Sequence, residues 1–381
     1  MQYDYLKAVD EIERRYPPER IARARARLAA TWDLQRPPDA IPFVYTSIPD
    51  NTGADGNMLY EARYPREQLL AYQLEQILAR AAVDDDYIPS LFPGCRQGLL
   101  PTAYGAQEEW TSDHYWVAPV LGDVQEAYEL TPPDFTTQGV AAELLETTRF
   151  FRRATAGRLP IQMPDMQGPL DLAGNMLGAE RLMMAIHDHP EAVHHLLDRM
   201  TDDFITYMHL LEAASEGTLV PIHCMPTVWL PPGRAMSLSE DLLAVISPSL
   251  YEQFAIPYNE RVAAEFGGLV IHSCGSWEHN LRGVARTEGL LGVNFGVSET
   301  SPHRVAEQFG DEAVILAHCD AAITCNGLPR FDARDYVEFM FDFIKERALR
   351  AIILLAPDEG MTADQCAQIA RLARERAAWP G

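Results

Sequence analysis

The sequence predicts an α/β protein of the (β/α)8 TIM-type barrel class: one barrel domain over residues 1–381, with an N-terminal helical extension over 1–36. Three observations carry that prediction. Eight short apolar runs, starting near Ile41, Tyr87, Pro160, Leu219, Leu269, Leu290, Ala313 and Ala351, alternate with helical sequence. Strands alternating with helices mean a parallel sheet, and eight such units close a barrel. Neither G-x-G-x-x-G after a strand nor G-x-x-x-x-G-K-S/T occurs, so an open doubly wound sheet would lack its usual phosphate-binding turn. Finally, 47% hydrophobic and 23% charged residues suffice for one large core.

Asp4 to Thr31 reads as a polar, Arg- and Ala-rich helix broken by Pro17-Pro18. Ile41 to Tyr45 is the first strand, followed by a Gly/Asp/Asn-rich loop over Ile48 to Asn57 and an amphipathic helix over Arg66 to Val83. Asp84 to Leu91 reads as a second strand with acid at its mouth, and Cys95 to Tyr128 as an irregular, aromatic-rich excursion. A helix over Ala141 to Arg153 leads to the strand Leu159 to Met163 and the turn Pro164 to Pro169. Helices over Leu170 to His187 and Pro190 to Ala214 follow, the latter with proline at its first position. Leu219 to Cys224 is the next strand, Met225 to Met236 a Pro-rich excursion, and Ser237 to Glu265 a largely helical stretch. Leu269 to Ile271 ends in His272-Ser273-Cys274-Gly275; a helix over Trp277 to Thr287 and the strand Leu290 to Phe295 come next. After Glu299 and a short helix near Val305, the strand Ala313 to Ala317 ends in His318-Cys319-Asp320. The helix Ala333 to Arg347 leads to the strand Ala351 to Leu355, and Thr362 caps the last helix.

A formal charge of -24 argues against nucleic acid and anionic membranes as partners, because a phosphate surface needs a basic one. Met1 to Arg15 is charged throughout, which is unlike a signal peptide, and no apolar run approaches a bilayer span. Six cysteines scattered along a long chain suit a reduced, cytoplasmic protein.

In a barrel the carboxyl ends of the strands share one mouth. The polar residues assigned there are Asp86, Asp165, His223 with Cys224, His272 with Cys274, Glu299, His318 with Cys319, and Asp358 with Glu359. An imidazole and a thiolate two residues apart suit a borderline divalent metal such as zinc. The pair by itself is more simply a small buried cysteine beside a hydrogen-bonded histidine, and only the shared mouth adds possible third and fourth ligands. Cys366 falls inside the last helix and Cys95 on a loop, outside that shell, and the histidines on helices read as surface or packing residues.

Ser239-Glu240-Asp241, Ile246-Ser247-Pro248, Tyr251, Phe254, Pro257-Tyr258 and His272-Ser273-Cys274-Gly275 together resemble the uroporphyrinogen decarboxylase superfamily. The H-x-C-G resembles its zinc-dependent corrinoid methyltransferase branch, which includes the methylcobalamin:coenzyme M methyltransferases. Gly168-Pro169, Gly178 and Pro190-Glu191 match the middle region of the same family. Departures accompany the match. The decarboxylases' R-Q-A-G-R-Y stretch is replaced by Thr46-Ser47-Ile48-Pro49-Asp50-Asn51, and Asp86-Tyr87-Ile88 only echoes their F-S-D-I-L. Their late G-H-G, and the cysteine that ends the methyltransferases' last strand, are both replaced by Pro357-Asp358-Glu359-Gly360. Three completions of the metal site remain: Glu299 with water, as the resemblance to methionine synthase barrels implies; Asp358 or Glu359; and Cys319 or His318. Glu299 with one last-strand carboxylate is the preferred expectation.

What the resemblance implies is a zinc-dependent methyltransferase that moves a methyl group between a small thiol or methylated substrate and a corrinoid. That corrinoid would ride on a partner protein, since no D-x-H-x-x-G cobalamin motif is present. A homodimer fits equally with a monomer. Two rivals stand beside this reading. One is a metal-free decarboxylase or lyase using Asp86, Asp165 and His223 as acid/base groups; the other is a small-molecule-binding barrel without chemistry.

Overall fold

In the computed structural model the described residues are 3–46, 65–94, 98–110, 115–222, 228–318, 332–358 and 360–379. The chain opens with α1 (Tyr5–Arg15) and α2 (Pro18–Trp32), then β1 (Phe43–Tyr45) and α3 (Arg66–Arg80). A hairpin of β2 (Glu108–Trp110) and β3 (Tyr115–Val117) precedes α4 (Gly139–Ala154) and β4 (Ile161–Gln162). Three helices follow, α5 (Pro169–Leu177), α6 (Ala179–Asp188) and α7 (Pro190–Ala214), and then β5 (Leu219–Val220) and β6 (Met236–Ser239). Next come α8 (Pro248–Phe254), α9 (Ile256–Phe266), β7 (Leu269–His272), α10 (Leu281–Val284) and β8 (Leu290–Gly296). The chain finishes with α11 (Pro302–Phe309), β9 (Val314–His318), α12 (Ala333–Arg347), β10 (Ala351–Leu355) and α13 (Ala363–Ala377).

Six strands form one parallel sheet in the order β1-β10-β9-β8-β7-β6, and β4 pairs with β5 in parallel. Single parallel bridges join Leu91 to Ile161 and Gln167 to Ser239. Among the described residues these pieces do not close into one hydrogen-bonded ring.

Side chains alternate across a strand, and this splits the apolar core in two. Val44, Val270, Val314, Leu316, Ile352 and Leu354 share one face of the sheet with Trp32. Ile271, Val293, Phe295, Ile315, Ile353 and Leu355 share the other with Val305, Tyr336 and Ile369 of the helices. His272, Asn294 and His318 continue the first face by the same period, so that face turns from aliphatic to polar at the carboxyl end of its strands. At the opposite end α2 covers it. Trp32 is fully buried and its Nε1 donates to Trp229 O at 2.9 Å. Gly292 leaves room for that ring, because a Cβ there would sit 3.3 Å from it and 2.9 Å from Val314 O.

Several expected elements differ. The stretch after Ser237 begins as strand β6, since Met236 to Ser239 pairs with Leu269 to His272 before any helix starts. The helix expected over Leu170 to His187 is two, broken at Gly178 with φ of 91°. Within Trp277 to Thr287 only a 3-10 turn at Glu278–Asn280 and α10 are helical. The excursion after Cys95 contains the antiparallel pair β2 and β3.

Candidate metal centre

Two strands and the turns leaving them build the site. β7 ends in His272, a buried residue whose carbonyl accepts the Glu240 amide at 2.8 Å. β6 ends in Ser239 and leads through Glu240 into a 3-10 turn, Asp241–Ala244. Asp171, in the first turn of α5, holds that turn by accepting the Asp241 and Leu242 amides at 2.6 and 2.9 Å. Asp241 Oδ1 in turn accepts the Cys274 amide at 2.9 Å, so the two turns fix each other. Gly275, at φ of 79°, makes the left-handed turn after the cysteine, and its amide donates to Glu299 Oε2 at 2.9 Å.

One ligand atom each from Asp241, His272 and Cys274 lies within 4.8 Å of the other two. His272 Nε2 stands 3.3 Å from Cys274 Sγ. Two donors on one tetrahedral zinc, at bond lengths of about 2.0–2.1 and 2.3 Å, lie about 3.5 Å apart, so that spacing suits joint ligation. Carboxylate, imidazole and thiolate are all donors that zinc accepts, and three protein ligands leave a position open. The surroundings fit a cation as well. Burial pushes the Glu240 carboxyl up to about 7, against hydrogen bonds from Asn259 and Tyr251 that favour its charge. Burial, then Asp241 and Glu240, hold Asp171 well above the usual carboxylate range. Among the described residues no lysine or arginine is hydrogen-bonded to these three adjacent carboxyls, and a divalent ion beside them would favour their charged forms. Nearby His318, almost wholly buried, is pushed down to about 3, first by burial and then by His272, and its ring stacks against His272 at 6.2 Å.

The expected ligands and acids divide as follows. His272 and Cys274 come together. Glu299 does not join their group: its carboxylate is taken up by the Gly275 amide and props the turn that carries Cys274. Asp358 accepts the Ala333 amide at the start of α12, at 3.2 and 3.1 Å, and is likewise outside the group. Asp86 precedes the Tyr87 to Leu91 run and so sits at the amino end of the strands, the wrong end for a mouth residue. There it pairs with Arg27 at 2.7 Å and Arg374 at 3.2 Å and accepts the Phe43 amide at 3.1 Å, which makes it a structural ion-pair partner. Asp165 is buried on the loop leaving β4, apart from the three donors. His223, Cys224, Cys319 and Glu359 lie outside the described residues.

Asp241 had no ligand role in the sequence reading. Its signal was Ser239-Glu240-Asp241 directly after Met236 to Ser239, a strand too short and too polar to stand out.

Residues 100–218 match the family model for uroporphyrinogen decarboxylase (URO-D). Uroporphyrinogen decarboxylase of Xanthomonas campestris pv. campestris (strain B100) is 24% identical over 221 residues, covering 54% of this chain and 56% of that one. The Xanthomonas axonopodis pv. citri (strain 306) enzyme of the same name is 26% identical over the same shares. The matched region thus spans about half the length of these curated relatives. A solved methyltransferase from Methanosarcina mazei has the same fold, with a TM-score of 0.65 over 91% of this chain and 96% of that one, at 18% identity. Over residues 100–218, which include its middle helices, this α/β chain with a parallel sheet is thus similar to the uroporphyrinogen decarboxylase (URO-D) family.

Proposed function

We propose that this protein is a zinc-dependent methyltransferase that moves a methyl group between a small thiol or methylated substrate and a corrinoid carried by a partner protein. The observation that carries the reading is the carboxylate, imidazole and thiolate of Asp241, His272 and Cys274 gathered at the carboxyl end of β6 and β7. The fold shared with the Methanosarcina mazei methyltransferase supports it. We also take the sheet to be the wall of a (β/α)8 barrel, which makes this rim the mouth.

When bound, zinc would supply Lewis acidity toward a substrate sulfur, oxygen or nitrogen. The protein's own part is to hold and shield it. Asp241, His272 and Cys274 would be the ligands; Asp171 and Glu299 fix the two turns that present them. Cys274 is the exposed member, on the side from which substrate would approach, whereas His272 is buried. A thiol ligand must stay reduced, in keeping with a cytoplasmic setting. Among the described residues no helix is long and apolar enough to cross a membrane.

The curated relatives favour a second reading, decarboxylation of uroporphyrinogen. Against it, Asp86 is committed to two arginines, and a polycarboxylate has little electrostatic reason to bind a chain of net charge -24. Elemental analysis of protein purified without chelator should give close to one zinc per chain, falling to background in Cys274→Ser. Background zinc in the folded wild type, or turnover of uroporphyrinogen III by the metal-free protein, would overturn the proposal.

A further inference from the structure

Asn294 pairs in register with His272 on the adjacent strand and is 3% exposed. Its Nδ2 lies 2.8 Å from Leu316 O, a carbonyl that can only accept. The reversed amide would set two acceptors at that distance, so nitrogen faces β9 and oxygen faces β7. That oxygen is 2.6 Å from His272 Nδ1 and accepts only. His272 Nδ1 therefore carries a hydrogen, and whenever the ring is neutral its lone pair sits on Nε2, the atom directed at Cys274 Sγ. The second Nδ2 hydrogen faces His318 Nδ1 at 3.4 Å, which makes that nitrogen an acceptor and puts the His318 proton on Nε2. A Cβ at Gly296 would lie 3.3 Å from that Nε2 and 3.0 Å from Glu299 Oε2, so the N–H and a carboxylate flank one small gap at the rim.

We propose that Asn294 is the positioning residue of this centre: from a single amide anchored on Leu316 O, it sets opposite tautomers on the two rim histidines. His272 is thereby made a metal ligand through Nε2, and His318 an N–H donor on the same face of the sheet. The ligand half rests on the zinc reading above; the tautomer half rests on the hydrogen bonds alone. A hydrocarbon at position 294 would leave His272 able to carry its proton on Nε2, where it blocks a metal, and partners of this kind change metal affinity by about 10–100-fold.

Nitrogen NMR of the metal-free wild type, labelled in its imidazole rings and recorded above pH 7, reads both tautomers directly. The expected result is Nδ1–H on His272 and Nε2–H on His318. Zinc affinity of Asn294→Leu, measured by competition with a chromophoric chelator, should fall about 10–100-fold while the metal-free melting curve stays cooperative. Nε2–H on His272, the same tautomer on both rings, or an Asn294→Leu affinity within about twofold of wild type would overturn the proposal. If the variant does not fold, the wild-type spectrum alone decides. A wild type that shows the opposite tautomers yet takes up no zinc would support the amide's control of the rings and overturn the metal reading.

Discussion

Asp241 has two tasks on one carboxyl, accepting the Cys274 amide and contributing to the three-donor group. Asp241→Asn separates them, because an amide oxygen still accepts the Cys274 hydrogen while the charge is lost. Zinc affinity should then fall on the order of 100-fold, with metal-free stability held or raised, since one of three crowded carboxyls is neutralised. Chelator competition and thermal melting of the metal-free protein check the two halves. At this scale His272 and Cys274 were legible in the sequence, because a histidine and a cysteine at the end of an apolar run are conspicuous. Asn294 was not: it lies inside the apolar run Leu290 to Phe295 and acquires a role only through the register of β7 against β8. Asp86 misled for a related reason. Three consecutive aspartates at 84–86 mark a strand end without saying which, and the ion pairs with Arg27 and Arg374 assign them to the amino end.

Among the elements, the long apolar strands and amphipathic helices could be read from periodicity, and the capping box of Thr362 and Gln365 at α13 appears where the sequence puts a cap. β6 could not. Met-Ser-Leu-Ser has two apolar residues, and its strand conformation comes from pairing with β7, a tertiary effect that outweighs local preference. α7 carries a titrating group of its own, Asp203. Asp203 is buried, accepts the Tyr104 hydroxyl, and is raised from 3.8 to about 6, first by burial. A carboxyl whose folded pKa is raised favours folding below its unfolded value, and that contribution is lost as pH rises through the folded value. Wild type should therefore lose on the order of 2–3 kcal/mol relative to Asp203→Asn between about pH 4 and 7, as read from urea unfolding at both ends. Parallel stabilities across that window would contradict the assignment.

Across the whole molecule, the sheet face that carries Val44, Val270 and Val314 is covered by α2 at its aliphatic end, and its polar end carries the site. Trp32 is the largest side chain in that cover, so Trp32→Ala should cost about 3–5 kcal/mol in denaturant unfolding. Because the tryptophan lies at the far end of the strands, zinc stoichiometry in whatever fraction stays folded should be unchanged. Arg27 and Arg374 meet on Asp86, which ties α2 to α13 at the amino end of β1. The sequence showed the alternation of strands and helices that produces this arrangement, but not how the strands meet around the sheet, which depends on contacts between distant segments such as Gln167 and Ser239. The central claim is that Asp241, His272 and Cys274 hold one metal ion, and X-ray absorption at the zinc edge of the reconstituted protein tests it most directly. The expected shell is one sulfur at about 2.3 Å with nitrogen and oxygen at about 2.0–2.2 Å. A shell of nitrogen and oxygen alone, or a spectrum unchanged in Cys274→Ser, would contradict it.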